Sequence, residues 1–290
     1  MKDFVITCSS TCDLTPFYLR KHNMYYVSYY YYLDNDKFFD DFYREHTVED
    51  FYTKLKTSDS KTSQPDPEQY KNLWIKLIEQ GNDILHIEMD SAISGAINSA
   101  LIAKSMVEDE IKDAKIYVVD SLIASCGYGL LLDKVYDFKL KCNDIDKTYE
   151  YVNELKNNIN VVFLVPNLEQ LIKGGRLSKV AGGVAKILNI IPILHVCKDG
   201  KLESIKKARG INNAMDEIIN LMKENIHSDD KVIISHTNCI DAAKTMCEKI
   251  KTNFNNIVFP DEYITNVGTV IGTHLGQGAV VISYVGDGRI

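Results

Sequence analysis

The chain has 290 residues, 45% of them hydrophobic and 25% charged, with a formal net charge of −7 and a pI near 5.5. That balance is typical of a soluble globular protein with room for one large or two ordinary domains, and it argues against a nucleic-acid binder built on a basic surface. No apolar run approaches the roughly 20 residues that cross a bilayer, because Asn189, Pro192 and His195 interrupt the stretch 187–196.

From Met1 the chain passes directly into a strand-like run at residues 4–7, without the basic segment and long apolar core of an export signal. Ser9, Ser10 and Thr11 follow it and place hydroxyls at the end of that strand. In residues 25–33, six of nine positions are tyrosine, and turn residues Asp34, Asn35 and Asp36 follow. This reads as one strand whose rings alternate between core and surface, with a ligand wall or a dimer edge as the other use of such rings.

Next comes Lys61-Thr62-Ser63-Gln64-Pro65-Asp66-Pro67. Pro65 keeps Gln64 out of helical dihedrals, and Pro67 suits the first turn of the helix spelled by Tyr70, Leu73, Trp74, Leu77 and Ile78. Thr62 and Ser63 are thereby held extended at a helix mouth, where amide groups and hydroxyls can cradle a carboxylate or phosphate. The same residues allow a simpler role, with Ser63 or Asp66 capping the helix.

Apolar runs at residues 83–88 and 115–119 alternate with helices starting near Ser94, which carries Ile97, Leu101 and Val107, and near Ser125, which carries Leu130, Leu131, Val135 and Tyr136. Such alternation predicts a parallel sheet with crossover helices. After the run 83–88, Ser91, Ser94 and Gly95 stand where open α/β sheets bind ligands. Ser94 also suits an N-cap, with Gly95 serving close packing.

Beyond Lys139 the pattern changes. A helix over 144–157 and a strand over 160–165 precede a strand over 190–196, which turns through Lys198-Asp199-Gly200-Lys201 into residues 202–205 as a hairpin. Helices over 212–225 and 241–251 flank strands at 231–235, 256–259 and 279–285. The expected fold is α/β in two domains, residues 1–158 with a parallel sheet and 159–290 with a mixed sheet.

Seven scattered cysteines in a chain of this size read as reduced cytosolic thiols. Neither they nor the seven histidines show metal-ligand spacing, so no metal and no cofactor is expected. Lys173-Gly174-Gly175-Arg176-Leu177-Ser178-Lys179 presents Arg176 for a phosphate or a partner's carboxylate, without the spacing of a P-loop. Gly276 and Gly278 allow a tight turn beside His274, whose imidazole can donate to a carboxylate or serve structurally. No Gly-x-Ser-x-Gly elbow is present. Hydroxyls without an activating base bind better than they react.

In order along nearly the whole chain, Ser10-Thr11-Cys12-Asp13-Leu14, Thr62-Ser63-Gln64-Pro65, Ile93-Ser94-Gly95, Val119-Asp120-Ser121, Ser125-x-Gly127-x-Gly129, the Leu171–Ser178 segment, Ile190-Ile191-Pro192-Ile193, Ala208-Arg209 and His274-Leu275-Gly276-Gln277-Gly278 resemble the DegV family. That family is similar to the fatty-acid-binding subunit of bacterial fatty acid kinase. The resemblance implies a cytoplasmic, non-enzymatic carrier that buries a long-chain fatty acid, such as palmitate, between two α/β domains. Thr62 and Ser94 would bind its carboxylate, His274 would complete the network, and Ser63, Ser91 and Gly95 would be secondary contacts. Arg176 and Arg209 would serve the kinase partner that converts the acid to an acyl phosphate. The family usually has Asp where Ser9 stands, Ser at Asp90 and Thr at Ala96, and an Asp90 facing the head group would repel it. A different class of function, a hydrolase or transferase with Ser94 as nucleophile and His274 as base, predicts covalent labelling of Ser94.

Overall fold

The computed structural model describes residues 3–177, 189–227, 231–258 and 263–290. Strand β1 (Phe4–Ser9) leads through helix α1 (Pro16–Lys21) to β2 (Tyr25–Val27), β3 (Tyr30–Leu33), β4 (Asp36–Phe39), α2 (Val48–Leu55) and β5 (Ser60–Ser63). Then come α3 (Pro67–Glu79), β6 (Asp83–Glu88), α4 (Ala96–Glu110), β7 (Ile116–Asp120), α5 (Ser125–Lys141) and α6 (Ile145–Leu155). The second half runs β8 (Ile159–Leu164), α7 (Glu169–Lys173), β9 (Ile190–Val196), β10 (Leu202–Arg209), α8 (Ile211–Asn225), β11 (Ile233–His236), α9 (Ile240–Asn253), β12 (Ile264–Asn266), α10 (Thr269–Leu275) and β13 (Val280–Val285).

Strands β2-β1-β6-β7 form a parallel sheet buried on both faces. Period-two alternation sorts its side chains: Val5, Val27 and Ile84 pack with Trp74, Leu77, Ala100 and Ala103 of α3 and α4, while Phe4, Ile6 and Leu85 face the core shared with α5. The second sheet, β10-β9-β8-β13-β11-β12, is mixed, with only β11 and β12 parallel. Val162, Leu164, Val280 and Ile282 meet α8 and α9 on one face, and Val161, Phe163 and Val281 look toward α5 on the other. Leu130, Leu131, Leu132 and Val135 of α5 are fully buried, as expected for a helix that lies between two sheets. The mixed second sheet and its hairpin agree with the reading of the sequence.

Four expectations need correction. Residues 25–33 are two strands interrupted at Ser28: β2 joins the parallel sheet, whereas β3 lies between β4 and β5 in a small antiparallel sheet. The rings do not simply alternate, since Tyr29, Tyr30 and Tyr31 are all buried. In α4 the buried stripe is Ala96, Ser99, Ala100, Ala103 and Val107, small residues that admit α3 closely, while Leu101 is 47% exposed. Near 256–259 the described chain makes only a bridge from Val258 to Lys231, Phe259 lies outside the described residues, and the strand beside β11 is β12. The hairpin's second strand also continues to Arg209, with an irregular register between Ser204 and Lys206.

Candidate functional site

A cavity of about 320 Å³ opens where the edge strand β5, the α4 N-terminus, the α5 N-terminus, α7 and α10 converge on the inner face of the mixed sheet. Its apolar wall includes Met89, Ile93, Phe163, Leu202, Val270 and Val281. Its polar lining includes Tyr29, Thr62, Ser63, Ser94, Arg176 and His274.

The polar groups are chained to one another. Asp66 caps α3 through a reciprocal box with Gln69, so Thr62 and Ser63 need not cap it and remain on the short strand β5. Thr62 Oγ1 lies 2.8 Å from His274 Nε2. His274 in turn packs against Gly174, where a Cβ would stand 2.2 Å from Nδ1. Arg176 Nη1 donates to the Gly174 carbonyl at 2.6 Å and Nε to the Ile93 carbonyl at 3.0 Å, beside Ser94. Ser94 Oγ accepts from the Ala96 amide at 3.2 Å, but it stands one residue before the α4 N-cap, which is Gly95 and not Ser94 as expected, and it also lies 3.0 Å from the Tyr29 hydroxyl. Gly95 is the close-packing residue expected of it, since a Cβ there would meet Gln64 Oε1 at 2.4 Å.

Burial, with the Arg176 charge adding to it, lowers the His274 pKa to about 4, so the imidazole is neutral at physiological pH. Its Nδ1 is buried without a hydrogen-bond partner. When Nε2 carries the hydrogen, it donates to Thr62 Oγ1 and leaves the Thr62 hydrogen free for a ligand. The half-buried Arg176 guanidinium puts a positive charge in the cavity lining, a group that can pair with an anionic ligand.

A family model described as "Uncharacterised protein, DegV family" matches residues 3–287. The chain belongs to the DegV family. A DegV domain-containing protein of Clostridium perfringens is 31% identical over 290 residues, covering 99% of each chain. The crystal structure of a DegV family protein from Ruminococcus gnavus, solved with vaccenic acid, superposes at TM-score 0.85 with 25% identity over 97% of this chain and 98% of that one. The fatty acid kinase B3 protein of Streptococcus pneumoniae, loaded with linoleic acid, shares the fold at TM-score 0.84 and 22% identity, covering 98% of this chain and 100% of that one.

In this DegV chain the structure brings Thr62, Ser63, Ser94, Gly95, Arg176 and His274 to one cavity. Ser91 is exposed outside it, with its amide on Asp120, and Arg209 is exposed at the end of β10. Ser178 and Lys179 of the Arg176 loop lie outside the described residues, as does Ile187. Asp90 does not line the cavity: it is fully buried, accepts from the Ala92 amide at 2.8 Å and abuts Gly200. Ser9, Ser10 and Thr11 are buried and line no part of the cavity; Ser9 bonds Glu88 instead.

Of the tyrosine run offered as a ligand wall, only Tyr29 lines the cavity, and Glu88 behind it was not singled out from the sequence. A signal for Glu88 was present, because His86 and Glu88 are ionisable side chains inside a strand that is otherwise apolar and buried throughout.

Proposed function

We propose that this DegV protein is a carrier that holds a long-chain fatty acid in the cavity and presents it to a kinase partner, without catalysis of its own. The observation that carries this reading is the pairing of a hydroxyl, imidazole and guanidinium cluster with an apolar wall in one cavity. Thr62 and Ser94 donate to the carboxylate, His274 orients Thr62, and Arg176 balances the charge. Each buried methylene of the acyl chain contributes about 0.8 kcal/mol, so the tail dominates affinity and the polar cluster fixes which end enters. Arg176 stands at the head group, where it meets the carboxylate before transfer and the acyl phosphate after it. Exposed Arg209 is assigned to the partner's face.

The hydrolase reading is less well served. Ser94 bonds Tyr29 and Ala96 while His274 bonds Thr62, so the nucleophile–base pair such an enzyme needs is not assembled. Titration of the delipidated protein with oleate tests the carrier directly. The wild type takes up one equivalent and the Thr62→Ala/Ser94→Ala variant binds it at least tenfold more weakly; equal affinity in the two would remove these residues from the site.

A further inference from the structure

Ser94 is wired to a buried charge. Glu88, at the end of β6, is fully buried and receives five hydrogen bonds. Ser9 Oγ at 2.8 Å, Tyr29 OH at 3.2 Å and the Met89 amide at 2.7 Å reach Oε1. Tyr70 OH at 2.7 Å and His86 Nε2 at 3.1 Å reach Oε2. Burial alone would raise the Glu88 pKa, but His86 and the other donors outweigh it and the pKa is lowered.

The hydrogen directions follow from one end. An ionised Glu88 carboxylate can only accept, so His86 Nε2 at 3.1 Å must carry a hydrogen, which leaves Nδ1 to accept from Thr7 Oγ1 at 2.9 Å, while Thr7 accepts from Trp74 Nε1 at 3.3 Å. Tyr29 has a single hydrogen, and Glu88 takes it. In the 3.0 Å contact between Tyr29 and Ser94, the donor must then be Ser94. The empty site thus holds the Ser94 hydrogen on Tyr29, away from a ligand.

We propose that an entering carboxylate reverses this pair: Ser94 turns its hydrogen to the ligand, Tyr29 swings its hydrogen from Glu88 to Ser94 Oγ, and Glu88 keeps its four other donors. No bond to a heavy atom is made or broken. The reversal leaves Ser94 accepting from Ala96 and Tyr29 while donating to the head group, so its hydrogen-bonding capacity is filled. Tyr29 and Glu88 are positioning residues that act through Ser94. The inference rests on the reading of Ser94 as a head-group donor.

Oleate affinity is measured for the wild type, Tyr29→Phe, Ser94→Ala and the double variant, alongside the ¹³C shift of bound carboxyl-labelled oleate. Tyr29→Phe is expected to weaken binding about tenfold when Ser94 is present and less than twofold when it is Ala, and to move the carboxyl shift only in the former background. Equal losses in both backgrounds would mean that Tyr29 contacts the ligand itself and would overturn the relay. Full affinity and an unmoved shift in Tyr29→Phe, with Ser94→Ala impaired, would overturn it too while leaving the carrier intact. Failure of the wild type to take up oleate would overturn both.

Discussion

Thr62 and His274 stand 212 positions apart in the chain and 2.8 Å apart in space, Oγ1 to Nε2. Their contact joins the edge strand β5 of the small antiparallel sheet to α10, so residues from the two halves of the chain meet in the wall of the cavity. Thr62→Val keeps the branched shape and deletes the hydroxyl. A hydrogen bond to a charged group contributes about 1.5–3 kcal/mol, so oleate affinity should fall roughly tenfold to a hundredfold by calorimetry. An unchanged affinity would place the carboxylate elsewhere.

Gly174 is required by contact and not by conformation. Its φ of −72° suits any residue, yet a Cβ would approach His274 Nδ1 within 2.2 Å. Gly174→Ala should therefore displace the imidazole and weaken oleate binding by at least tenfold, with a far-ultraviolet spectrum like the wild type's. Gly175, at φ +74° with nothing near its Cβ position, should show the opposite pattern: its Ala variant loses stability through backbone strain and changes affinity little.

Two titrations oppose one another in acid. The His274 pKa falls to about 4 in the folded protein, chiefly through burial, so between pH 4 and 6.5 the unfolded chain binds a proton that the folded one lacks, and this contribution to stability rises with pH. Burial also raises Asp90 to about 7, so the folded carboxyl keeps a proton that the unfolded chain releases above pH 4, and that contribution falls as pH climbs to 7. Asp90→Asn removes the second effect. Relative to wild type, its unfolding free energy in urea should climb from pH 4 to 7, by on the order of a few kcal/mol, and then level off. A pH-independent difference would show that Asp90 is ionised throughout.

Val281 on β13 faces the cavity from the mixed sheet. Val281→Phe extends a ring into space the tail would occupy. Overpacking a filled core costs about 1–3 kcal/mol, but the free protein has room here, so its melting temperature should move little. Competition between lauric and stearic acids should shift toward the shorter chain. An unchanged preference would mean the tail runs along another wall.

Much of this arrangement was legible because local rules and the fold agree. Pro65 and Pro67 mark the boundary that leaves Thr62 extended, and Asp66 with Gln69 forms the cap. The hairpin turn at Gly200 and the parallel strands β1, β6 and β7 follow from spacing alone. The tyrosine run misled because its break at Ser28 separates two strands with equal β propensity, and only pairing with β4 and β5 tells them apart. Asp90 looked like a threat to the head group because spacing gives proximity without direction. The Tyr29–Glu88 link depends on a contact across 59 residues, which no local pattern encodes.

The most direct test is to purify the full chain, weigh it under native conditions and extract it into organic solvent. A carrier should yield one long-chain fatty acid per chain, released on denaturation and replaced by added oleate. A protein that emerges empty and takes up neither oleate nor palmitate would contradict the carrier function.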